Sequence, residues 1–231
     1  MGLAGGILLA GGEEGMTAAE RAAERFRRAR FLHGYAKGKA KWDPAYAAVA
    51  DLLGKSGHPL LDIGCGVGLL AAYLRESGCQ QRILGIEPDA AKVRIATGQV
   101  AGAYPLLEFR LGDARALPDF HGDIVMLDAL HYMGPEAQCS VLEQIAWRIC
   151  PGGRALIRTT FRDGSWRYYA TMIEEVFVRA SGWIRGGRCH FPTREEAIAP
   201  FHGPEWKVSV EPMWGRTPFN SHLVDIRRLP A

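Results

Sequence analysis

Five short apolar runs, Leu60–Ile63, Ile83–Ile86, Leu106–Phe109, Ile124–Leu127 and Ala155–Ile157, succeed one another through the middle of the chain, and most of the segments between them are long enough for a helix. Runs this apolar suit strands covered on both faces, and their alternation with helix-length segments predicts a parallel sheet with helices packed on either side. No other feature constrains the fold as tightly, because parallel neighbours cannot be joined by a tight turn and need a crossover. Beyond Ser181 the alternation stops. There Trp206–Val210 and Leu223–Ile226, separated by Pro212, Gly215 and Pro218, predict a terminal antiparallel pair. The expected architecture is α/β and doubly wound, with about seven strands of which the last is antiparallel.

Ahead of the sheet the spacing predicts two helices. One runs from Thr17 to about Phe31 with Ala19, Ala22, Ala23, Phe26 and Ala29 near one face, and the other is capped by Asp43, carries Pro44 at its first position and ends near Gly54. Thr17-x-x-Glu20 fits a capping box directly after Met16, so residues 1–16 are read as a disordered, Gly-rich leader. Residues 17–231 then form one domain, with residues 17–55 as a helical cap over the sheet. The chain of 231 residues is 48% hydrophobic and 23% charged, the balance of a globular protein.

Net charge is +3, too small to argue for a nucleic-acid partner. Its distribution is uneven, since Arg21, Arg25, Arg27, Arg28, Arg30, Lys37, Lys39 and Lys41 face only Glu20 and Glu24 in the same stretch. That segment reads either as a solvated helical face or as a cover that closes over the site and attracts an acidic acceptor. The run Ile7-Leu8-Leu9-Ala10 is too short for a membrane span or signal segment. Five cysteines form no Cys-x-x-Cys pair, and Cys189-His190 with His202 and His222 fits no ligand spacing, so no metal is expected and a reduced, cytoplasmic setting is the simpler reading.

The chemical signal begins at Asp62-Ile63-Gly64-Cys65-Gly66-Val67-Gly68, a strand end and glycine loop that run into Leu69-Leu70-Ala71. Read as Gly66-x-Gly68-x-x-Ala71, the loop also fits a dinucleotide fingerprint, which leaves an NAD(P)-dependent oxidoreductase open. The carboxylate of Asp62 argues for a different ligand, because it would repel a pyrophosphate and could pair with an amino-acid ammonium group. Cys65 sits within the loop as a small filler.

The segment resembles the first motif of class I S-adenosylmethionine-dependent methyltransferases, and later motifs follow in order from about Pro59 to Arg158. The resemblance implies S-adenosylmethionine as cofactor, with Asp62, Gly64, Cys65, Gly66 and Gly68 around its methionine part. It also implies Glu87 on the ribose hydroxyls, Pro88 and Asp89 beside the adenine, and Asp113 with Ala114 on the adenine amino group. Asp128 matches the fourth motif and Pro151-Gly152-Gly153 the turn before the fifth strand. A protein that binds the cofactor without catalysis remains an alternative.

In such a sheet the carboxyl ends of the strands face the ligand crevice, so His131 and Tyr132, just past Asp128, are expected beside the transferred methyl. His131 is a candidate general base because an imidazole accepts a proton near neutral pH. Arg158, at the end of the fifth strand, is a candidate ligand for a substrate carboxylate or an acyl thioester, and Tyr35 a further substrate contact. The expected acceptor is a small aromatic or acyl compound of secondary metabolism, free or bound to a carrier protein. Lys41-Trp42-Asp43-Pro44-Ala45-Tyr46 and Leu130-His131-Tyr132-Met133 resemble, more narrowly, methyltransferases of aryl polyene pigment clusters.

Overall fold

A computed structural model describes residues 15–180 and 189–230. The expected leader falls, up to residue 14, outside the described residues. Seven strands form one sheet in the order β3-β2-β1-β4-β5-β7-β6. They are β1 (Leu60–Ile63), β2 (Ile83–Glu87), β3 (Leu107–Leu111), β4 (Asp123–Leu127), β5 (Arg154–Thr160), β6 (Trp206–Pro212) and β7 (Ser221–Arg228). The first five pair in parallel, and β7 lies antiparallel between β5 and β6. The anticipated runs thus fall within strands, except that Leu106 stays outside β3, exposed and at a φ of 57°.

Two apolar cores sandwich the sheet, as period-two alternation requires. Leu60 joins one face with Leu53, Leu74 and Ala96, while Leu61 and Ile63 join the other with Leu142, Ile145 and Ala197. The first face is covered by α3 (Pro44–Leu53), α4 (Leu69–Glu76) and α5 (Ala90–Gln99), the second by α6 (Pro135–Arg148) and α8 (Arg194–Ile198). Each fully buried Leu or Ile contributes about 1.5–3 kcal/mol. The strand order reverses on either side of β1, so the carboxyl ends of β1 and β4 open a crevice.

The N-terminal region has three helices, α1 (Ala18–Glu24), α2 (Arg30–Trp42) and α3, where the spacing predicts two. Both caps form: Glu20 N–H donates to Thr17 Oγ1 at 3.2 Å, and Ala45 N–H donates to Asp43 Oδ1 at 3.0 Å. The first helix stops at Glu24 and does not reach Phe31. A continuous helix would stack Arg25 on Arg28 and Arg27 on Arg30 at one-turn spacing. The chain turns instead, Ala29 becomes extended, and Phe26 is fully buried.

Candidate active site

At the end of β1 the chain enters a loop in which Gly64, Gly66 and Gly68 all take positive φ, at 75°, 56° and 81°. A Cβ on Gly68 would come 2.8 Å from the Phe109 ring, whereas one on Gly66 would meet nothing within 4 Å, so the backbone there stands open to a ligand. The loop is fastened to β2: Gly64 and Cys65 N–H donate to Ile86 O at 2.9 and 3.0 Å, and Gly66 N–H donates to Glu87 Oε2 at 3.0 Å. Glu87 Oε1 accepts from Asp89 N–H at 3.2 Å. A carboxylate has about four acceptor positions, so Glu87 keeps capacity for a ligand's hydroxyls.

Asp62 is 3% exposed, and its Oδ2 has no hydrogen-bond partner among the described residues. Burial, and then the Glu87 charge, push its carboxyl up to about 7. An ammonium group placed here would satisfy the orphan oxygen and restore the charge. Burial also pushes the Cys65 thiol up, which leaves it a filler. Pro88 is exposed on the rim, Asp89 caps α5, and Asp113 is held by Arg115, whose Nε donates to Oδ1 at 2.9 Å. Ala114 lies beside them, partly buried against the core.

From this cradle a cavity of about 1350 Å³ continues to α2 and α7 (Trp166–Ala180). Its floor is a four-membered ion network. Asp128, at a φ of 56°, and Asp43, the cap of α3, both accept from the Arg158 guanidinium, with Nε at 2.8 Å from Asp128 Oδ1 and Nη2 at 2.8 Å from Asp43 Oδ2. Lys39 Nζ lies 2.7 Å from Asp43 and 3.5 Å from Asp128. Burial opposes ionisation of both carboxyls, but Arg158 and then Lys39 hold them below the usual carboxylate range. The charge of Arg158, expected to meet a substrate carboxylate, is therefore engaged within the chain. Tyr35 lines the same cavity from α2.

His131 and Tyr132 occupy a helical turn after β4, facing α7. The His131 side chain is 4% exposed, stacked on Phe191 at 5.3 Å, with Nε2 3.4 Å from Glu175 Oε1, inside ion-pair reach but off hydrogen-bond geometry. Tyr132 OH donates to the same carboxylate at 3.2 Å. Burial raises the Glu175 carboxyl, but contacts from His131, Tyr132 and Cys189 outweigh it and hold the group below its ordinary value. Sequence reasoning missed Glu174 and Glu175. Their signal is the helical spacing of Trp166, Tyr169, Ile173 and Val176, whose opposite face carries both acids. A second hollow of about 950 Å³, around Trp147 and Trp206, gathers none of the expected site residues. Among the described residues no group of three or more His, Cys, Asp or Glu is placed to hold a metal ion, and no helix is long and apolar enough to cross a membrane.

The methyltransferase domain family matches residues 60–153, the stretch that builds the glycine loop, Glu87 and the Asp128–Tyr132 segment. Residues 60–153 are thus similar to a methyltransferase domain. Methyltransferase GfsG of Streptomyces halstedii is 30% identical over 130 residues, which cover 54% of this chain and 46% of that protein, so the chain spans about half the length of this curated relative. Among solved structures, the mitomycin 7-O-methyltransferase MmcR superposes with a TM-score of 0.63 at 21% identity, over 93% of this chain and 61% of that one. Magnesium protoporphyrin IX methyltransferase from Synechocystis PCC 6803, with bound S-adenosylhomocysteine, gives 0.62 at 17% identity, over 89% and 93%. These likenesses establish the fold. The orphan Asp62 oxygen beside the open Gly66 backbone fits an ammonium group such as that of S-adenosylmethionine.

Proposed function

We propose that the chain catalyses methyl transfer from S-adenosylmethionine to a small-molecule acceptor held between α2, α7 and the carboxyl end of β4. The observation that carries this reading is the continuity of one cavity from the unpartnered Asp62 carboxylate to the buried His131. When bound, the cofactor supplies an electrophilic methyl group on a sulfonium. Asp62 holds the ammonium, Glu87 accepts from the ribose hydroxyls, and Pro88, Asp113 and Ala114 border the adenine. His131 takes the acceptor's proton as the methyl arrives, and Glu175 stabilises the resulting imidazolium across the 3.4 Å gap. Tyr132 fixes the orientation of Glu175. Arg158 holds Asp128 and Asp43 in place, tying the cap formed by α1–α3 to the sheet. Because an anionic nucleophile and a sulfonium cancel charge, alignment supplies most of the acceleration and the base about 10²–10⁴-fold.

The test uses a panel of small aromatic and acyl acceptors, with release of S-adenosylhomocysteine as readout. His131→Ala is expected to lower turnover by about 10²-fold while affinity for S-adenosylhomocysteine stays unchanged. Near-normal turnover with an unaltered pH profile would remove His131 from the chemistry.

A further inference from the structure

One carboxylate in the acceptor half has no role in the chemistry above. Glu174 and Glu175 sit side by side on α7 and both line the cavity. Glu175 is engaged by Tyr132 and His131, whereas Glu174, half-buried, makes no hydrogen bond or ion pair among the described residues. Burial, followed by the charges of Glu175 and Asp128, pushes its carboxyl up to about 7, and Lys39 and His131 offset this only in part. The two cations nearby, Lys39 and Arg158, are shared between Asp43 and Asp128. Among the described residues, two cations therefore face four carboxylates, and the surplus lies at Glu174.

Independent features of the same wall point to a ligand. His131 is more than nine-tenths buried; its Nε2 faces Glu175 at 3.4 Å off hydrogen-bond geometry, and its Nδ1 has no hydrogen-bond partner among the described residues. The indole Nε1 of Trp214 is buried in the wall without an acceptor among the described residues. Buried polar groups are ordinarily satisfied, and a set left open in one cavity is a set a ligand completes. The surrounding aromatic faces, Tyr35, Trp42 and Trp214, attract cations through their ring quadrupoles.

We propose that the methyl acceptor carries an ammonium group seated against Glu174. This rests on the methyl-transfer reading and reverses the expectation of an acidic acceptor. The Glu174 carboxylate gains the partner that no described residue supplies, the repulsion from Glu175 and Asp128 is relieved, and the acceptor is anchored with its reacting group toward His131. An anionic acceptor would meet the same wall as a repulsive surface.

The experiment saturates the protein with S-adenosylhomocysteine and measures binding of phenethylamine, its neutral counterpart 2-phenylethanol and the anion 3-phenylpropionate at pH 8. The amine is expected to bind about tenfold or more tighter than the alcohol, with the anion weakest, and Glu174→Gln is expected to erase the preference. Equal binding of alcohol and amine, survival of the preference in Glu174→Gln, or no binding of the amine at millimolar concentration would overturn the proposal. Binding of S-adenosylhomocysteine is read separately in the same samples. Its loss would count against the methyl-transfer reading, whereas its retention without an amine preference sinks only the ammonium assignment.

Discussion

The two halves of the cavity are wired in opposite ways. In the cofactor half, polar groups are brought to the surface of the cleft and left with capacity to spare: among the described residues Asp62 Oδ2 is unpartnered, and Glu87 accepts only two backbone N–H groups. In the acceptor half the charges have largely found one another, through Arg158, Asp43, Asp128 and Lys39. The first arrangement leaves free energy available to a ligand. The second ties the N-terminal helices to the ends of β4 and β5 before any ligand arrives. A mutation should therefore weaken binding in one half and stability in the other.

The largest effect tests the wired half. Arg158→Met leaves Asp43, whose side chain is 9% exposed, and Asp128 without their shared partner, and removal of one member of a buried ion network costs about 3–5 kcal/mol. Urea unfolding should show that loss. Adding Asp43→Asn and Asp128→Asn should recover at least half of it, because Asn still caps α3 and tolerates a positive φ. A single variant as stable as wild type would mean that the network is not what holds the cap.

The next effect tests the open half, with the opposite sign. The Asp62 carboxyl at about 7 lies above its unfolded value near 4, so the folded chain favours the protonated form. Its contribution is complete below pH about 4 and is lost as the pH rises to 7. Asp62→Asn should therefore be more stable relative to wild type at pH 8 than at pH 5, by about 2–3 kcal/mol, while binding the cofactor more weakly. A stability gap that does not change with pH would show that Asp62 is satisfied in the free protein. Glu87→Ala comes third: loss of charge-assisted hydrogen bonds worth roughly 1.5–3 kcal/mol each should weaken S-adenosylhomocysteine about tenfold or more in calorimetry. Unchanged affinity would release Glu87 from the ribose.

This division also explains which parts were readable from the sequence. The cofactor half is assembled from strand ends and the few residues after them, so that Gly66 and Glu87 meet across only 21 positions, and apolar runs followed by a glycine loop reveal it. The acceptor half depends on pairs such as Arg158 with Asp43, 115 positions apart, whose meeting no local pattern announces. Asp43 was legible as a helix cap, but not as half of an ion network. In α7 the local pattern points the wrong way. Trp166, Tyr169, Ile173, Val176 and Phe177 form the stripe that ordinarily faces a core, yet all are more than half exposed, and the polar side carrying Glu174 and Glu175 lines the cavity. The first helix was misjudged for a related reason, since apolar spacing continued through a cluster of arginines that the backbone does not tolerate as one helix.

The smallest effect concerns the basic segment, for which the sequence leaves a solvated face and a cover over the site both open. Its arginines are partly spent on the body of the protein: Arg21 Nε lies 2.6 Å from Glu76, and Arg25 stacks over Tyr104 at 5.2 Å. Of its three lysines, Lys39 alone lines the cavity, already bound to Asp43, while Lys37 and Lys41 are exposed. Exposed charges are solvated and screened within about 10 Å at ordinary ionic strength, and each contributes well under 1 kcal/mol to a fixed partner. Lys37→Ala with Lys41→Ala should therefore leave turnover and KM within about twofold across a salt series, because no uncompensated positive charge of this segment reaches the acceptor. An acceptor that lost affinity in the double variant, more so at low salt, would be steered by the outer face of α2. The wired half of the cavity would then extend beyond the network at its floor.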